Sequence, residues 1–165
     1  MTTTNRLSKI VIDERSLGST SRDIDYERKA AMRDLMQDNV FAPASATVDG
    51  PYALHLGERD GRLIFDIRTE SDEPLVAHHL SLAPIRKTTK DYFLLCENYY
   101  AALRAAQPDK LETIDMARRA VHNEGTELLM RRLNGKVETD FDTARRIFTL
   151  ICSLVMRTGR RGDTN

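Results

Sequence analysis

Apolar residues alternate over Tyr52–Leu56 and Leu63–Ile67 and recur at every third or fourth position after about residue 85, so beyond an N-terminal strand and helix the chain reads as three strands followed by three helices. Tyr52-Ala53-Leu54-His55-Leu56 and Leu63-Ile64-Phe65-Asp66-Ile67 both alternate, with Asp60-Gly61 between them. Asp-Gly suits a two-residue type I′ turn, whose central positions both need positive φ. That turn sets Leu56 opposite Phe65 and Leu54 opposite Ile67 on one face, and His55 opposite Asp66 on the other. A slip of one residue would scatter the apolar set over both faces. Leu75 to Leu82 reads as a third strand after the polar turn at Glu70 to Pro74, and Ile10-Val11-Ile12 as an N-terminal strand. Ser16 to Arg22 is expected to be a loop. Asp23 then caps a helix to about Asp38, peripheral because its apolar side holds only Ile24, Ala31 and Leu35. Ala42 to Pro51, with Pro43, Gly50 and Pro51, reads as a linker.

The second half is helical. Ile85, Thr89, Tyr92, Phe93, Cys96, Tyr99, Tyr100 and Leu103 make one stripe on a helix from Ile85 to about Ala106. Gln107-Pro108 ends it, because proline suits the first turn of a helix and not the middle. The next helix runs from Pro108 to about Leu133 and stops at Asn134-Gly135. Asp140 or Asp142 opens the last, with a core face of Phe141, Ala144, Phe148, Ile151, Cys152 and Val155. The expected fold is α+β in a single domain, 1–165. A small antiparallel sheet, a three-stranded meander plus the N-terminal strand, packs against a C-terminal layer of three helices. Residues 1–6 and 158–165 read as frayed termini.

Composition narrows the function classes. The 165 residues carry 25 Lys+Arg and 25 Asp+Glu, so no net field draws the protein to nucleic acid or an anionic membrane. The segment Met1 to Arg6 lacks the apolar stretch of a signal peptide. Ile147 to Met156 is too short to span a bilayer, and Thr149 and Ser153 interrupt it. Cys96 and Cys152, both on apolar faces, suit a reducing compartment and inert core thiols. A soluble, cytoplasmic protein with no membrane partner is expected. The sequence holds no GxSxG, P-loop or GxGxxG. His78 and His79 point to opposite sides of a strand and neither cysteine has a partner at ligand spacing, so no metal site and no cofactor are expected.

The helix from Pro108 to Leu133 is chemically the richest. At about 100° per residue, Leu111, Ile114, Val121, Gly125 and Leu128 share one face. Arg118 falls within that arc, and Asp115 and His122 lie at its edge, three and four residues from Arg118. Arg119, Asn123 and Glu124 complete a polar run. Gly125 costs roughly 1 kcal/mol against alanine in a helix, which points to close approach of a neighbour or a ligand. Three readings follow. The cluster is an ion-pair network satisfying a part-buried arginine; or a pocket for a small anion, with arginine forks and a pH-tunable His122; or an acid–base pair of His122 and Glu124, which would need a substrate reaching both flanks. Pro84-Ile85-Arg86-Lys87 opens a helix where Arg86 and Lys87 would reinforce the free amides against an anion, or simply be solvated. Asp142 and Arg146 suit an i,i+4 surface pair, while Arg145 lies nearer the apolar face and can join Arg118. From Phe141 onward five arginines face two aspartates, enough to touch phosphate non-specifically. With Tyr92, Tyr99 and Tyr100 on or beside the apolar stripe, no basic stripe with exposed aromatics accompanies them. Nucleic acid is therefore the weaker partner reading.

Asp49-Gly50-Pro51-Tyr52, Pro84-Ile85-Arg86-Lys87, Lys90-Asp91-Tyr92-Phe93 and His122-Asn123-Glu124-Gly125 are joined by Thr143-Ala144-Arg145-Arg146 and Phe148-Thr149-Leu150-Ile151-Cys152. With these motifs the chain resembles, over nearly its full length, a family of small uncharacterised bacterial proteins found mainly in alphaproteobacteria. That family often has a histidine in its last helix where this chain has Val155, which argues against building a mechanism on the end of that helix. The resemblance implies no activity, substrate or catalytic residue. The leading expectation is a non-enzymatic binding or regulatory protein. It recognises a small anion or an acidic partner surface through Arg118 and His122, with Asp115, Arg119, Asn123, Glu124, Arg86, Lys87 and Arg145 as neighbours. The alternatives are an enzyme acting on a phosphorylated or carboxylated metabolite with His122 as acid or base, and an RNA-associated protein.

Overall fold

The structure is a computed structural model and describes residues 4–13 and 21–155. Its elements, in chain order, are β1 (Leu7–Ile12), α1 (Arg22–Gln37), β2 (Phe41–Pro43), β3 (Tyr52–Arg59), β4 (Arg62–Thr69), β5 (Pro74–Ser81), α2 (Ala83–Arg104), α3 (Pro108–Leu133), β6 (Val137–Thr139) and α4 (Phe141–Val155). The hairpin has the register its alternation dictates: Leu56 faces Phe65, Leu54 faces Ile67 and His55 faces Asp66. Asp60 and Gly61 turn it with φ of 54° and 76°. Leu54, Leu56, Phe65 and Ile67 are fully buried together. The outcome is an α+β fold.

The sheet is mixed, with order β1-β3-β4-β5, and not wholly antiparallel as expected. β1 runs parallel to β3. The chain passes through α1 between these two strands, and a long connection of that kind is what parallel neighbours require. The linker is also more structured than its composition suggests. Its first residues belong to β2, which pairs antiparallel with β6 in a two-stranded ribbon.

Two further corrections concern helices. The N-cap of α1 is Ser21, whose Oγ accepts from the Ile24 N–H at 3.2 Å; Asp23 sits in the first turn and bridges Arg104 instead. Nor is α1 peripheral, because Ile24, Ala31 and Leu35 are buried and the helix packs along α4. The last helix is the centre of the helical layer. Every residue from Ile147 to Val155 is buried, with α1, α2 and α3 packed around it. Phe141, expected in that core, is exposed at the helix's first turn, before α4 enters between its neighbours. The buried hydroxyls along α4 are partnered: Thr143 Oγ1 accepts from the Val40 N–H at 2.9 Å, and Ser153 Oγ donates to the Leu150 carbonyl at 2.6 Å. Near the N-terminus, the Asn5 and Arg6 carbonyls accept from the Phe41 and Tyr52 amides. Residues 158–165, expected to fray, lie outside the described residues. Among the described residues no helix is long and apolar enough to cross a membrane.

Candidate functional site

The four helices converge on a cleft of about 710 Å³. On α3, spacings of three and four residues stack Asp115, Arg118 and His122 on one side. The buried face of α3 centres on His122, Gly125, Thr126, Leu129 and Leu133, while Leu111, Ile114, Val121 and Leu128 are only half-buried. His122 thus stands in the middle of the buried face, not at its edge. Asp115 ties two arginines together, with Arg118 Nη2 at 2.8 Å from one carboxylate oxygen and Arg119 Nη2 at 2.9 Å from the other. The Arg118 guanidinium also lies 4.2 Å from the centre of the Tyr99 ring, a cation–π contact. Burial, the largest single influence, works against its charge, but the Asp115 carboxylate together with Cys96, Tyr92 and Glu27 outweighs it, and the pKa is raised.

His122 is 7% exposed. Its ring packs against Tyr92 and Phe148, with centroids 4.5 and 5.3 Å away. Nε2 lies 2.7 Å from Thr149 Oγ1, and the Thr149 hydroxyl donates to the Arg145 carbonyl at 3.3 Å. Burial, then Arg145, then Arg118 depress the His122 pKa to about 4, so the imidazole is neutral near pH 7.

Across the cleft, α1 contributes Glu27. Its two carboxylate oxygens accept from the Tyr92 hydroxyl at 3.0 Å and the Tyr100 hydroxyl at 2.6 Å. Burial first, then the Glu27 carboxylate, push both phenol pKa values up. From α4 come Arg145 and Arg146. Arg145 Nε is 3.8 Å from Asp142, beyond hydrogen-bond reach, and Arg146 Nη1 donates to the Asp38 carbonyl at 3.4 Å. Asp142 therefore sits beside Arg145, not Arg146.

Residues 4–157 of the chain match the Uncharacterised protein family (UPF0262). The chain belongs to the UPF0262 family. It is 56% identical over 151 residues to a UPF0262 protein of Azorhizobium caulinodans, covering 91% of this chain and 93% of that one. It is 56% identical over 149 residues to one from Xanthobacter autotrophicus (90% and 91% covered), and 52% identical over 151 residues to one from a Bradyrhizobium species (92% and 90%). No solved structure matches it.

In this UPF0262 protein the cleft gathers Arg118, Arg119, His122, Asn123 and Arg145, with Asp115 behind the first two. It does not gather the rest of the expected set. Glu124 is exposed outside it, and Arg86 and Lys87 lie at the start of α2, where Lys87 bridges Asp91 at 2.8 Å. The His55–Asp66 juxtaposition is present in the backbone register only. His55 Nε2 bonds Asp72 at 3.0 Å, because the β4–β5 turn brings that carboxylate over, and Asp66 is taken by Arg68 two residues along its own strand. Lys9 first, and then His55, hold Asp72 well below the carboxylate range, at about 2. Both cysteines are buried and free, and burial pushes the Cys96 thiol up to about 12, so it is no nucleophile.

Sequence reasoning missed Glu27, Thr149 and the polar role of Tyr92 and Tyr100. One signal was legible. Glu27 lies three residues after Ile24 and four before Ala31, so it is a carboxylate on the apolar side of α1. A charge in that position needs partners from another element.

Proposed function

We propose that this protein binds a small anion in the four-helix cleft and acts as a binding or regulatory component, not as a catalyst. The carrying observation is the neutral, buried His122 set among arginines of two helices, Arg118 and Arg119 from α3 and Arg145 and Arg146 from α4. Guanidinium forks are the groups that recognise carboxylate and phosphate, and they act most strongly where water is partly excluded. Arg145 in particular lacks a carboxylate within hydrogen-bond distance among the described residues. His122 adds a hydrogen-bonding nitrogen without adding charge. Catalysis is less favoured by the same geometry. Glu124 does not face the cleft, and a base with a pKa about 4 is poorly matched to neutral pH. The RNA reading rests largely on Arg157, Arg160 and Arg161, outside the described residues, while Arg145 and Arg146 border the cleft. Two free buried thiols favour the cytoplasm.

The test is a thermal-shift series with inorganic phosphate, pyrophosphate and citrate at matched ionic strength. A ligand that binds only the folded state raises the melting temperature. At least one anion should do so, and Arg145→Gln should blunt the response. No response from any anion, or an undiminished one in Arg145→Gln, would contradict the proposal.

A further inference from the structure

The cleft has two chemically different sides. The α3–α4 side is cationic. On the α1–α2 side, Tyr26, Tyr99, Tyr100 and Leu103 line it with the small residues Ala30 and Ala31 and two carboxylates, Asp34 and the tyrosine-bound Glu27. Tyr26 is 62% exposed and Leu103 51%, so both large apolar groups border the cleft uncovered. Isolated exposed apolar side chains are ordinary on any surface, but two at the rim of one charged cleft are a site feature.

Aromatic geometry refines this. Tyr26 meets Tyr100 edge-on, with centroids 6.1 Å apart at 78°, and Tyr100 meets Tyr99 likewise at 5.5 Å and 83°. The row ends on the Arg118 guanidinium over Tyr99. Perpendicular neighbours cannot cover all of one another's faces, so the row offers π surface to a further ring. Tyr26 and Ala30 are four residues apart on α1, which puts a large flat side chain beside a methyl on the cleft's wall. A cleft of about 710 Å³ is also far roomier than a bare oxyanion needs and is of the size that holds a small organic molecule.

We infer that the ligand is an aromatic oxyanion: a flat ring lying against the tyrosine row, bearing a carboxylate or phosphate directed to the arginines. This rests on the anion reading above and specifies its ligand class. The ring would gain apolar burial, and its edge-and-face contacts with Tyr26 and Tyr100 add a further several-fold over an aliphatic ring of the same size.

The full-length protein is titrated calorimetrically with phenyl phosphate, cyclohexyl phosphate and inorganic phosphate, and with benzoate, cyclohexanecarboxylate and acetate. For at least one head group the aromatic compound should bind about tenfold or more tighter than the bare anion and several-fold tighter than the cyclohexyl compound. Tyr26→Ser, at an exposed position that does not threaten folding, should remove the aromatic advantage. Leu94→Ser, equally exposed but away from the cleft, should retain it. If aromatic compounds bind no better than bare anions or cyclohexyl analogues, or if Tyr26→Ser keeps the advantage, the aromatic class is overturned while anion binding stands. If none of the six compounds binds, the anion reading itself fails and the ligand class with it.

Discussion

The Phe148 ring occupies the space that a Cβ on Gly125 would need, so α3 and α4 meet with no room for a methyl group. Phe148 in turn packs edge-to-face on His122, which links this close approach directly to the cleft. Alanine would gain up to about 1 kcal/mol in helix propensity. Forcing the ring aside costs about 1–3 kcal/mol. Gly125→Ala should therefore lower stability, by up to about 2 kcal/mol, in urea melts. A stabilised variant would show that the two helices do not meet in this way.

His122 should make the protein sensitive to acid. Its folded pKa is depressed to about 4, below the ordinary value of 6.5, so the unfolded chain binds the proton more readily between these values. Stability is then intact above about pH 6.5 and falls as the pH drops from there toward 4, by an amount on the order of 3 kcal/mol. His122→Gln, which retains a donor for Thr149, should lose that part of the pH dependence. An NMR titration of the His122 ring that gives an ordinary pKa near 6.5 would refute the expectation.

Glu27 accepts from two tyrosines, one on each oxygen, so the three side chains form a coupled unit. Glu27→Gln should cost on the order of 1–2 kcal/mol by weakening two charge-assisted hydrogen bonds. Tyr100→Phe should then cost less in the Glu27→Gln background than in the natural protein. Strict additivity in denaturant melts of the double-mutant cycle would mean that the unit is not coupled.

The hairpin was legible because alternation and Asp60-Gly61 are local signals that agree with each other. The direction of β1 was not, since pairing of Ile10 with Leu54 is decided by the long connection from residue 13 to residue 51. β2 and β6 are three residues each, too short to show a period. The face of α3 was misplaced for a reason tied to the site. Periodicity looks for apolar residues, whereas the buried positions of this helix include the polar His122 and Thr126. The placing of Asp115, Arg118 and His122 along one side of α3 was legible from spacing. Glu27, Tyr92 and Tyr100 were not, because their meeting needs α1 packed beside α2, and tertiary contacts of that kind leave little trace in either helix read separately.

The most direct test of the cleft is a melt series on the Arg118→Met/Asp115→Asn double mutant, with and without the anion that stabilises the natural protein. Removing both members of a half-buried ion pair is often nearly neutral for folding, whereas removing one leaves the other uncompensated. Arg119, largely exposed, loses only a surface partner in the same change. The double mutant should melt close to the natural protein without ligand and show no stabilisation on adding the anion. The natural protein's own response should weaken as salt is raised. A well-folded double mutant that the anion still stabilises in full would contradict the assignment of this cleft as the binding site.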